Sequence, residues 1–399
     1  MKPKYFLFLC LSFLIFNSSL LIGTVRYVSK TGTSTPPYTT WETASDSIQK
    51  CIDICSFGDT VYVGVGIYIE KVTVDRYIAL IGISMDSVII DGRNATPLGV
   101  VEFSSNAKIE NFTVLGNGSS APVGIRTFNA NIHISNCKIR DVAYGINIQR
   151  SSSIVENCIF INCSEHNIDD ECAPDTCHSI YKNNVLISNS ASTAAYFSYG
   201  GYPTFTSNIV IDEGGTRKGV DAYTSGLAIE NNLIINYQNE GIALYSMPGG
   251  TQNAVNNLVS NIPGVSSFTG GITTGTGYQT VLENNVLKEC SVGIFRNNTT
   301  IVRSDYNLFW KVQQLMNGQP FVGDSNIVAD PMFVNDTIPT ANSDYDFHLQ
   351  KYSPAIDKGN PSILDVDGSR SDIGLFGGPF GQKYTYQDLA PKPPRNLTA

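Results

Sequence analysis

Histidine is nearly absent from this chain, four residues in 399, and tryptophan occurs only twice. So few imidazoles exclude a histidine-rich metal centre, and no Ser-His-Asp constellation can be argued. Charge is scarce as well: Asp, Glu, Lys and Arg make up 15% of the residues, with a net charge of −9. An acidic chain with no cluster of Lys or Arg excludes nucleic acid and an anionic membrane surface as partners. The apolar run YFLFLCLSFLIF near the start has 12 residues, whereas a helix needs roughly 20 to cross a bilayer.

Lys2 and Lys4 precede that run, and small or polar residues follow at Asn17 to Ser19 and at Gly23. This is the order of an export signal, assigned to residues 1–23. No small-x-small cleavage site stands out, so an uncleaved anchor stays open; after cleavage no membrane span is expected. Cys10 lies inside the signal. Eight cysteines remain, an even number suited to a compartment that permits disulfides. The protein is expected to be secreted or held at the cell surface.

What is present in quantity is β-type: 35 Gly and 20 Tyr, with abundant Asn, Ser and Thr. A phrase also recurs, as in KIENFTVLG, AIENNLIIN and VLENNVLKE. Aligned on its first Asn it places anchors at Asn111, Asn136, Asn157, Asn183, Ser207, Asn231, Asn256 and Asn284. The spacing of about 21–28 residues is a solenoid period. Each anchor leads into a short β-type run, and a second run follows, usually opened by Gly: GIRTF at Gly124, GINIQ at Gly145, GVDAY at Gly219, GIALY at Gly241, GITTG at Gly271 and GIFRN at Gly293. Asn167 and Ala195 replace that Gly in two coils, NIDDE and AYFSY. So short a repeat suits three strands per coil, with successive coils pairing in parallel around an apolar stack. The anchor Asn suits the bend, because it tolerates left-handed backbone angles and its amide can bond to the equivalent amide one coil away.

This pattern resembles the right-handed parallel β-helix of pectate lyases and their secreted bacterial relatives, over about residues 40–380. The fold class expected is all-β, a right-handed parallel β-helix solenoid with an N-terminal capping helix. The cap is assigned to 24–58, where Ala44, Ile48, Cys51, Ile52 and Cys55 share a helical face, and the coils to 59–316. Residues 317–383 resemble the closing segment of such proteins. Residues 384–399 read as a Pro-rich linker and the start of a truncated fibronectin type III module.

Alternation then sets the chemistry. With the Ile of GIALY inward, the third and fifth residues of each pentad point outward: Asn147/Gln149, Asp169/Glu171, Phe197/Tyr199, Asp221/Tyr223 and Ala243/Tyr245 in the central coils. Tyr199, Tyr223 and Tyr245 form a ladder for stacking sugars, although such a ladder also stabilises a solenoid with no ligand. In pectate-lyase-like proteins the strand after the Asn bend carries the substrate groove, so the resemblance implies that this column faces the ligand. Asp170 is forced inward, which calls for a bulge, a cation or an Arg.

Two chemistries fit these residues. Lyases of the resembled kind need a base and positive charge: Lys218 or Arg217 as base, and Ca2+ held by Asp169, Glu171 and Asp221. A hydrolase needs two carboxyls about 5–9.5 Å apart, from Asp169, Glu171 and Asp221. The substrate-binding set is Tyr199, Arg217, Tyr223 and Tyr245. Cys172 and Cys177 are expected to bond, while Cys137 and Cys158 either stack in the interior or bond. The sequence therefore reads as a monomer that binds an extracellular polysaccharide, with cleavage as the enzymatic form of that reading. The alternative is a non-catalytic surface or adhesion stalk.

Overall fold

The computed structural model describes residues 23–389, apart from 94–98, 117–122, 173–175, 190–192, 248–249, 265–268, 276–278, 298–300, 319 and 341–342. The export signal, bar Gly23, and residues 390–399 of the linker lie outside the described residues.

Each coil contributes three strands to a parallel β-helix. The strands that precede the anchors form a thirteen-stranded parallel sheet, from Val25–Val28 to Phe321–Val322. The strands after the anchors and the pentad strands pair in parallel down the other sides. All eight anchors have positive φ, from 52° at Asn136 to 64° at Asn111. Asn suits that bend because it tolerates left-handed angles at low cost; Tyr306 makes the same bend one coil further on, with φ 55°.

The amide ladder is built one residue later than the anchor. Asn184, Asn208, Asn232, Asn257, Asn285, Asn307 and Asn326 form it: in each step the backbone N–H and Nδ2 of one donate to Oδ1 of the next, at 2.8–3.0 Å. The left-handed turn points the anchor side chain outward and leaves its successor facing the interior, where the amides can stack. Outward anchors do other work. Asn231 donates to the carbonyls of Leu375 and Gly377, and Asn256 to those of Asp372 and Gly374.

Those bonds hold a C-terminal segment against the flank of the coils. Phe333, Phe347, Leu349, Ala355 and Ile373 bury Leu233, Leu258, Val286 and Leu308, which project outward from four successive coils. A short helix, Ile48–Asp53, precedes the coils. Its Ser47 N-cap accepts from Lys50 N, and the Glu70 carboxylate accepts from the N–H groups of Ile48 and Gln49. Ile48, Cys51 and Ile52 face into the main core.

That core runs through the coil interior as predicted: Ile146, Val220, Ile242, Ile272 and Ile294 are fully buried and in register. Cys172 and Cys177 are disulfide-bonded. Cys51, Cys55, Cys137 and Cys158 are buried free thiols, so the Cys137/Cys158 position stacks rather than bonds.

Candidate functional site

The pentad strands bring the expected columns together. Arg126, Asn147, Asp169, Phe197, Asp221, Ala243 and Thr273 are consecutive partners, and so are Gln149, Glu171, Tyr199, Tyr223 and Tyr245. The two columns differ in depth. Asn147, Asp169 and Asp221 are buried, with 7%, 5% and 8% of their surface exposed, so they form a floor below the second column rather than an open face.

A third column, of which the sequence had singled out only Lys218, stands beside these two. The residue just before each pentad rises beside the floor: Tyr144, His166, Lys218 and Glu240. Lys218 Nζ lies 2.9 Å from Asp221 Oδ1 and 3.2 Å from Glu240 Oε2, and 5.2 Å from the centroid of the Tyr245 ring. His166 donates from Nδ1 to the Ala194 carbonyl at 2.8 Å and stacks on Phe197 with centroids 5.3 Å apart. The signal was available, since each of these residues directly precedes the first pentad position.

Electrostatics separate the acids. Burial pushes Asp169 up to about 6, and the charge of Glu171 adds to this, while His166 and an amide bond from Asn147 (2.7 Å) oppose it. Its Oδ1 is buried without a partner. Burial also raises Asp221 and Glu240, against the pull of Lys218. For Lys218, burial works against the charge, but Asp221 and Glu240 outweigh it and hold its pKa well above the ordinary lysine value. A lysine so held stays protonated and cannot take a proton near neutrality. Lys218 thus stands as an ammonium between two carboxylates. Arg217, the other candidate base, contributes its backbone carbonyl, which accepts from Asn239 and Glu240.

The tyrosine ladder is split. Tyr223 and Tyr245 stack with centroids 4.6 Å apart and planes 12° off parallel, and Phe197 tilts toward Tyr223 at 6.2 Å. A Cβ at Gly275 would overlap the Tyr245 ring, so the next coil leaves that ring its space. Tyr199 is 45% exposed and lines a cleft of about 570 Å3 with Phe128, Gln149, Arg150, Glu171 and Phe197. Within it Gln149 donates from Nε2 to Glu171 at 2.8 Å.

Asp170 points inward, as alternation demands, and the strand carries a register shift just upstream of it, between Cys163 and His166. The register from Ile168 to Glu171 is unbroken. Hydroxyls from Tyr181 and Ser179 favour its ionised form, but burial dominates and pushes it up to about 7. Below that value the carboxyl is neutral and needs no counter-charge.

The calcium set is not assembled as it stands. Among the described residues no three His, Cys, Asp or Glu side chains converge as a ligand group. Asp221 faces an ammonium instead, and Glu171 takes an amide. What the arrangement can do chemically is hold a proton on Asp169 up to about pH 6, keep a Lys-paired carboxylate at Asp221, and offer ring faces alongside.

The family described as the right handed beta helix region matches residues 123–287. No curated protein matches the chain. Among solved structures, the Dettilon tailspike protein is 13% identical, covering 77% of this chain and 69% of its own, with a TM-score of 0.42. A pectin methylesterase in complex with a hexasaccharide is 11% identical over 71% of this chain and 89% of its own, TM-score 0.34. The pectin methylesterase of Yersinia enterocolitica is 10% identical over 63% and 81%, TM-score 0.30. Residues 123–287 thus match the right-handed β-helix family, and the coils on either side continue the same parallel register.

Proposed function

We propose that this protein is exported, acts as a monomer outside the cell or at its surface, and binds a polysaccharide along the groove of the pentad strands. Asp169 and Asp221 hydrolyse it there. The observation that carries this reading is the pair itself: a proton-holding Asp169 and a Lys218-paired Asp221, two strands apart with Phe197 between them. Two strand spacings are about 9.6 Å, just beyond the roughly 6.5–9.5 Å carboxyl separation of inverting glycosidases. In that geometry Asp169 protonates the leaving oxygen and Asp221 activates water on the opposite face. Lys218 keeps Asp221 ionised. Tyr223, Tyr245 and Tyr199 supply stacking faces, worth roughly 0.5–1.5 kcal/mol each.

Hydrolysis is favoured over the lyase form because one of the two bases offered for that form, Lys218, is ion-paired to both Asp221 and Glu240, which raises its pKa. The helix Ile48–Asp53 is assigned the closure of the apolar stack, on the burial of Ile48, Cys51 and Ile52. The test is a glycan panel assayed with and without Ca2+, followed by reducing ends and ultraviolet absorbance. New reducing ends without absorbance, unaffected by a chelator, support the reading. Absorbing products or calcium dependence would replace it with the lyase form. No binding and no turnover on any glycan would leave the non-catalytic stalk.

A further inference from the structure

A second cavity, of about 610 Å3, lies away from the groove, where the C-terminal segment stops covering the coils beside Asn183 and Ser207. Its wall on the segment side is pinned in place, because Asn231 Nδ2 donates to the carbonyls of Leu375 at 2.9 Å and Gly377 at 2.7 Å. Tyr345, Phe376 and Phe380 offer ring faces, and Phe380 is 56% exposed. An exposed aromatic at the mouth of a formed cavity is costly unless something covers it in use.

Polar groups complete the lining. His348 stacks on Phe376 with centroids 4.0 Å apart, and its Nδ1 lies 2.6 Å from Asp346 Oδ1. With Nδ1 donating to that carboxylate, Nε2 carries a lone pair, and it is buried without a partner. Asn183 and Gln382 bring two exposed amides, each able to donate and accept. Among the described residues no Lys or Arg lines the cavity, and the one carboxylate, Asp346, is engaged by His348.

We propose that this cavity binds a short neutral oligosaccharide, as a second site independent of the groove. Ring faces suit the C–H faces of a sugar, and the two exposed amides suit its hydroxyls. A uronate or sulfated sugar would bring a charge that no cation among the described lining residues meets, and Asp346 would repel it. A purely apolar ligand would leave the two amides unpaired, which costs free energy.

The test is titration calorimetry of the whole chain with cello-, xylo-, manno- and maltotriose and with trigalacturonate. The variants are Phe380→Ala, Asn183→Gly, which tolerates the φ of 55°, and the groove double variant Tyr223→Ala/Tyr245→Ala. At least one neutral trisaccharide should bind. Its affinity should fall about fivefold or more in Phe380→Ala and in Asn183→Gly, and survive in the groove variant, with unchanged melting temperature in the two cavity variants. Absence of neutral binding, equal binding of trigalacturonate that Phe380→Ala weakens, or loss only in the groove variant would each overturn the proposal. The last of these would leave the groove reading intact, whereas loss only in the cavity variants would remove the groove's claim on that ligand.

Discussion

Tyr223 and Tyr245 lie face to face, centroids 4.6 Å apart, whereas Tyr199, one coil before Tyr223, turns away to line a separate cleft. Rings in contact share their energy; rings apart do not. A double-mutant cycle on thermal stability should therefore give a coupling of about 0.5–1.5 kcal/mol for Tyr223→Ala with Tyr245→Ala. Tyr199→Ala with Tyr223→Ala, its partner on the adjacent strand, should add within about 0.5 kcal/mol. Equal coupling in both cycles would mean a continuous ladder and would contradict the split.

Removing the ammonium between Asp221 and Glu240 leaves two buried carboxylates side by side. Lys218→Met should cost of order 3 kcal/mol at pH 7.5, since breaking one side of a buried ion pair strands the other. The loss should shrink toward pH 5, because both acids already sit above their ordinary values and will take up protons once the cation is gone. Urea unfolding at the two pH values checks this. A cost independent of pH would point to lost packing instead.

Asp170 makes stability depend on pH in a definite direction. Its folded value, about 7, lies above its ordinary 3.8, so the native state binds the extra proton. The stabilisation is complete below about pH 4 and is lost as pH rises through about 7. The span corresponds to of order 4 kcal/mol. Asp170→Asn, which keeps the shape without the charge, should flatten that decline and raise the melting temperature at pH 8. A wild-type curve flat between pH 4 and 8 would rule this out.

The buried amide ladder should dominate local stability over the anchors. Asn232→Ala removes the acceptor for two bonds from Asn208 and the donor to the Phe205 carbonyl. It should cost roughly 2–4 kcal/mol, given about 1–3 kcal/mol for each buried polar group left unsatisfied. At Asn183, Gly preserves the left-handed bend and should cost under about 1 kcal/mol. Comparable losses at the two positions would show that the bend, not the ladder, is what the repeat protects.

The coil register was legible because Asn marks left-handed bends and alternation is strict: every pentad fell where the anchors put it, Asp170 included. The ladder was misplaced by one residue, since periodicity cannot tell which of two adjacent Asn side chains turns inward. Glu240 and His166 were passed over because alternation was counted from the pentad Gly forward, although each stands just before a pentad. Burial was the least legible property. Asp169 and Asp221 do project outward from the coil yet are buried, and that burial raises their pKa values. The flank contacts of Asn231 and Asn256 join residues more than a hundred positions apart, beyond the reach of any local pattern.

The last prediction concerns the acid pair. If Asp169 is the general acid, turnover requires it protonated, and that fraction falls as pH rises through about 6. If Asp221 is the base, turnover requires it ionised, so a second limb falls on the acid side, where its raised pKa is crossed. The rate should therefore follow a bell whose alkaline limb lies near 6. Asp169→Asn should lower kcat by about 10²–10⁴-fold while KM changes little, and should abolish the alkaline limb of whatever rate remains. Asp221→Asn should remove the acid limb instead. The anomer released first, read by proton NMR, should be inverted relative to the substrate, because carboxyls this far apart leave room for water between Asp221 and the sugar. Retention of configuration, or an alkaline limb that survives Asp169→Asn, would assign the acid to another residue, and Glu240 would then be the next to test.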